Sequence, residues 1–92
     1  MNKNELYEIL KSENLTCVLY KDGKLHKSVK RGIAPLFEFE KENLFDDCVM
    51  ADKIIGKAAA LIISLYKPAF VYTLVISKPA KEVFDRYGIN YE

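Results

Sequence analysis

Between Ala58 and Ile76 the chain is apolar almost throughout, interrupted by Lys67 and Pro68. The first run reads as a helix begun at about Lys53 and ended by Tyr66, because the residue before a proline is steered away from helical geometry. The second, AFVYTLVIS, is rich in β-branched and aromatic residues and reads as a central strand covered on both faces. A helix that folds straight back onto such a strand implies a layered α/β architecture. Each run is well short of the roughly 20 residues that cross a bilayer, so no membrane span is expected.

The flanking segments extend this reading. Asn4 is placed to cap a first helix from Glu5 to about Ser12, with Leu6, Ile9 and Leu10 on one face. Asp22-Gly23 supplies the positive backbone angles of a two-residue hairpin turn between strands Leu15 to Tyr20 and Lys24 to Val29. RGIAPLFEFEKEN carries both strand-like alternation and a helical face, and Pro35 in a first turn favours the helix. DDCVM is a short strand candidate. Ser77 and Pro79 open a last helix that Gly88 stops, and Ile89 begins a further extended segment. The predicted order is helix, strand, strand, helix, strand, helix, strand, helix, strand, which implies a three-layer α/β/α sandwich around a mixed sheet. Residues 1–92 are expected to form one domain. The finish at Tyr91-Glu92, just as that last segment starts, points to a longer chain shortened or stripped of its tail.

Charge is close to balanced, +1 over 92 residues, which disfavours a dedicated nucleic-acid binder. It is unevenly distributed: Lys21, Lys24, Lys27, Lys30 and Arg31 cluster around the hairpin, and Glu38, Glu40, Glu42, Asp46 and Asp47 follow. Such runs ordinarily keep a surface solvated. MNKNELYEIL has no hydrophobic signal core, and two distant cysteines make no disulfide framework, so a cytoplasmic protein is expected.

The candidate site is VMADKIIGK, a strand-to-helix joint at the carboxyl end of an inner strand, where open α/β sheets collect ligands. Asp52 is the expected N-cap of the helix. Lys53 in the first turn opposes the helix dipole by roughly 0.3–1 kcal/mol, and Gly56 costs about 1 kcal/mol relative to alanine. Two explanations stand. Gly56, with the alanines after it, lets the helix sit close to the sheet; or Lys53 and Lys57, one helical turn apart, embrace a phosphate or carboxylate. Ser77, ending the later strand, either hydrogen-bonds a ligand or caps the next helix.

With ADKIIGKAAALI and VYTLVISKPAKEVFDRYGI in view, the chain resembles short, uncharacterised prokaryotic proteins grouped as a domain of unknown function, whose fold is similar to that of cytidine deaminases. The resemblance implies their three-layer α/β/α sandwich. It does not carry over their activity, since zinc deaminases hold metal through H-x-E and P-C-x-x-C motifs at two helix starts. Here the first helix start reads VKRGIAP, and at the second Cys48 has Asp47 before it and Ala51 three residues on. Cys17, His26 and Cys48 lie on separate elements without ligand spacing, so no metal or other cofactor is expected.

The function expected is therefore that of a zinc-free, non-catalytic deaminase-like domain binding a small anionic or nucleotide-like ligand at Asp52, Lys53, Gly56, Lys57 and Ser77. Two alternatives stay open: an enzyme of unknown reaction, and an RNA- or protein-binding module that uses the basic hairpin. A homodimer that covers the hairpin edge is compatible with each.

Overall fold

The computed structural model describes all residues, Met1 to Glu92. Four helices and four strands follow in the order α1 (Lys3–Ser12), β1 (Cys17–Lys21), β2 (Lys24–Ser28), α2 (Ala34–Lys41), β3 (Val49–Ile55), α3 (Lys57–Ile63), β4 (Phe70–Ile76) and α4 (Lys78–Tyr87). The element order matches the sequence reading; several boundaries do not.

The first helix starts earlier than expected because Asn2, not Asn4, caps it. Asn2 accepts from the Glu5 amide at 2.9 Å, and Glu5 returns a bond to the Asn2 amide at 3.1 Å. That reciprocal box needs an acidic or amide side chain three residues after the cap, and Asn4 has Tyr7 there. The hairpin turn is as expected, with positive φ at Asp22 and Gly23. Pro35 sits in the first turn of α2, whose Leu36 and Phe39 are buried. Ser77 caps α4 through the Ala80 amide, and Gly88 ends that helix at φ 68°.

The sheet order is β2-β1-β3-β4. Strand β1 runs antiparallel to both β2 and β3, and β3 runs parallel to β4. The interior position expected for AFVYTLVIS thus belongs to β3. Beyond Val71 and Thr73 the outer half of β4 is open, with Leu74 60% and Val75 57% exposed. The last extended segment forms as a single parallel bridge, Val71 to Tyr91. It is held by Val71 N–H to the Asn90 carbonyl at 2.9 Å and Glu92 N–H to the Val71 carbonyl at 3.0 Å.

The largest correction lies at the candidate joint. Strand β3 continues through Asp52 and Lys53 to Ile55, and α3 begins only at Lys57. Asp52 pairs with Cys17 on one side and Thr73 on the other, and Ile54 and Ile55 continue the ladder to Val75 and Ile76. Two neighbouring strands offer these residues ladder bonds that a helix would forgo, and two consecutive β-branched isoleucines suit the extended chain. Helix propensity is overruled by pairing.

Side chains alternate across β1 and β3. Cys17, Leu19 and Met50 join a large apolar cluster with Leu36, Ile63 and Phe84 from α2, α3 and α4. Val18 and Ala51 join a smaller one with Leu6 and Leu10 from α1. Asp52 shares the parity of Met50, so its carboxylate stands on the larger cluster's side of the sheet, at that cluster's rim.

Candidate functional site

At the carboxyl end of β3 lies a cleft of about 550 Å³, within the size range of small-molecule sites. Three parts of the chain build its walls. Strand β3 supplies Asp52, Lys53 and Ile54; the start of α3 supplies Gly56, Lys57, Ala58 and Ala59; the β2–α2 connection supplies Arg31, Gly32 and Ile33 and the first turn of α2 Pro35, with Thr16 ahead of β1. The connection is shaped locally. The Thr16 hydroxyl lies 3.0 Å from the Ser28 carbonyl oxygen and 2.6 Å from that of Lys30, pinning the strand exit, and Gly32 turns the chain at φ 65°.

Asp52 dominates the electrostatics. It is only 8% exposed, and burial pushes its carboxyl from the ordinary 3.8 up to about 6. The backbone amides of Ile54 and Lys53 and the adjacent Cys17 thiol favour the ionised form and offset part of that rise. The Ile54 N–H donates to Asp52 Oδ1 at 3.2 Å. Against this one carboxylate stand three cations on the same lining. Ion pairs elsewhere join Lys3 to Glu92, Lys27 to Glu13 and Lys30 to Glu38; Arg31, Lys53 and Lys57 take part in none.

The arrangement departs from the sequence reading in its geometry. Asp52 is not the cap of α3, and Lys53 and Lys57 are not neighbours on one helical turn: the first is a strand residue, the second opens the helix. Gly56 occupies the N-cap position with φ −101° and ψ −177°, extended angles open to any residue. Close helix–sheet packing does not explain it either, since a Cβ built there meets nothing within 4 Å. Gly56 belongs to the cleft lining, and the space beside it is open. Of the five expected residues, Asp52, Lys53, Gly56 and Lys57 line that cleft, whereas Ser77 stands outside it, with its oxygen 3.2 Å from the Ala80 amide it accepts from.

Other reactive side chains lie apart. Cys17 and Cys48 are free and buried. Burial raises the Cys17 thiol well above its usual value and pushes Cys48 up to about 12, so both are protonated near neutrality. His26 Nδ1 is 4.0 Å from Glu42, and His26 is not part of the cleft lining.

Residues 5–92 match the family model of the TM1506 domain of unknown function (DUF1893). The chain belongs to the DUF1893 family. The crystal structure of a DUF1893 family protein (TM1506) from Thermotoga maritima superposes with a TM-score of 0.84 at 30% identity, covering 99% of this chain. This DUF1893 chain spans 65% of the length of that protein. No curated protein matches it. No helix of the chain is long and apolar enough to cross a membrane.

Sequence reasoning missed half of the DUF1893 cleft. Arg31, Thr16, Ile33 and Pro35 reach it from more than fifteen residues away in the chain. A signal was present: RGIAP is itself a helix start, and two helix starts following strands of one sheet can converge on the same end of it.

Proposed function

We propose that this DUF1893 domain is a zinc-free, non-catalytic module of the cytidine deaminase-like, three-layer α/β/α kind that binds a small anionic or nucleotide-like ligand in the cleft at the end of β3. The observation that carries the reading is the trio of cations, Arg31, Lys53 and Lys57, that share one lining without an acidic ion-pair partner. Lys3, Lys27 and Lys30 have carboxylate partners, whereas Arg31, Lys53 and Lys57 have none and share one lining. Apolar walls from Ile33, Pro35 and Ile54 suit the flat body of a nucleoside, and a few convergent charges would fix its anionic end. Gly56 supports the same reading, because its missing side chain keeps the mouth clear.

The donor set does not fit a zinc ion. A catalytic zinc site takes three protein ligands from histidine, cysteine or carboxylate. The lining offers one carboxylate, Asp52, and neither a histidine nor a cysteine.

A thermal-shift titration with a nucleoside monophosphate tests the proposal. Saturation at a hundred times Kd stabilises the folded state by about 2.7 kcal/mol, a rise of several degrees in Tm for a domain of this size. Lys53→Ala with Lys57→Ala should remove that rise while the unliganded Tm stays within a few degrees of the parent. An unchanged rise in the double variant sinks the assignment.

A further inference from the structure

A carboxylate is an awkward neighbour for an anion, and Asp52 sits on the lining of a cleft otherwise dressed for one. Resting on the function proposed above, we infer that Asp52 selects a protonatable oxyanion, a phosphate monoester or inorganic phosphate, by sharing one proton with it, and thereby rejects sulfate at neutral pH. The geometry that supports this is specific. Asp52 is a buried residue, its carboxylate takes the Ile54 amide and lies beside the Cys17 thiol, and no cation neutralises it through an ion pair. A buried oxygen acceptor on an anion site is tolerable only where a proton lies between the two acids.

The chemistry of phosphate meets that condition. A phosphate monoester loses its second proton near pH 6, and burial places Asp52 in the same range. Two acids of similar strength side by side release one proton readily and hold the other more tightly, so the pair retains a single proton at neutral pH. Either the carboxyl donates to a phosphoryl oxygen or the phosphate hydroxyl donates to the carboxylate. Sulfate has no proton to give. It is accommodated only when Asp52 is itself protonated. The groups facing Asp52 are consistent with this role. Cys17 on β1 is a neutral thiol and Thr73 on β4 a neutral hydroxyl that donates to the Val75 carbonyl. Arg31, Lys53 and Lys57 belong to the cleft walls. Asp52 is therefore the titrating group of the cleft between about pH 4 and 8.

The test is isothermal titration calorimetry of the whole chain with inorganic phosphate, sodium sulfate and a nucleoside monophosphate, at about pH 5 and about pH 7.5. Expected at the higher pH is a preference for phosphate over sulfate of about tenfold or more, which is 1.4 kcal/mol; at the lower pH sulfate should gain and the preference shrink. Asp52→Asn, whose amide donates to either anion, should bind both alike at both values. Equal binding of phosphate and sulfate by the parent at pH 7.5 overturns the proton-sharing inference and leaves the anion cleft standing. If none of the three probes binds, the cleft reading and this inference fall together. The parent's pH series decides the matter even if the asparagine variant does not fold.

Discussion

Two parts of the molecule carry dense positive charge, and they use it differently. The hairpin is the more basic in sequence, yet most of its lysines are engaged within the molecule: Lys27 reaches Glu13 at 2.8 Å, Lys30 reaches Glu38 at 3.5 Å, and Lys21 donates to the Asn43 carbonyl at 3.3 Å, leaving Lys24 without a partner. The cleft has fewer cations, drawn from three separate segments, and leaves them unpaired. Counting lysines along the chain finds the first region. Asking which unpaired cations line one cleft finds the second.

The contrast can be broken most decisively at the cleft cations. Adding Arg31→Ala to the Lys53 and Lys57 substitutions should abolish the stabilisation of about 2.7 kcal/mol expected from a nucleoside monophosphate at a hundred times Kd, read as Tm against ligand concentration. Lys27→Ala with Lys30→Ala, made in parallel, should leave that stabilisation intact. A reversal of these two results would move the site to the hairpin.

Asp52 gives the next largest effect. Its folded-state pKa of about 6 lies above the ordinary 3.8, so the folded state holds a proton that the unfolded chain has released. Stability contributed by this group is greatest below about pH 4, falls as pH rises to about 6, and is level above that. The full difference converts to at most about 3 kcal/mol, and solvent reaching the cleft reduces it. Asp52→Asn should therefore stabilise the protein by on the order of 1–2 kcal/mol at pH 7.5, and the gain should vanish near pH 4. Urea unfolding at the two pH values measures it. A variant less stable than the parent at pH 7.5 would show the carboxylate to be a structural group.

Smaller still is Gly56→Ala. The backbone there is extended and the space open, so the entropy gained by the change and the poorer N-cap oppose each other and stability should move by less than about 1 kcal/mol, while ligand affinity falls as the methyl group crowds the lining. Smallest is the hairpin pair itself. Exposed ion pairs contribute about 0–1 kcal/mol each, and losing Lys27 and Lys30 should shift the urea midpoint only slightly, less so at high salt.

These differences also mark what could be read without a structure. Asp22-Gly23, Pro35, Pro68, Ser77 and Gly88 are local devices with local consequences, and the element order followed from them. The β3–α3 joint was misread because its outcome is decided elsewhere: Asp52 pairs with β1 and β4, and Ile54 and Ile55 extend along β4. The apolar run of β4 suggested a central strand, yet Leu74 and Val75 remain exposed, since composition records hydrophobicity and not which neighbour covers it. Lys53 and Lys57 were singled out for sharing a helical turn that they do not share. They meet at the cleft because a strand end and a helix start adjoin there, and Arg31 joins them through a turn that no spacing rule links to either.

The position of β3 sets an order of events. Its partner in β1 belongs to a hairpin closed by two residues, which can zip within microseconds, whereas β3 must find that hairpin and β4 across long stretches of intervening chain, the slower kind of search. Stopped-flow refolding should show the hairpin amides protected before phosphate is captured; capture arriving first would contradict this order. Walls contributed by Thr16, Arg31, Lys53 and Lys57 exist as one enclosure only after that search ends, so occupancy by a small molecule certifies a finished polypeptide and leaves half-assembled ones unclaimed.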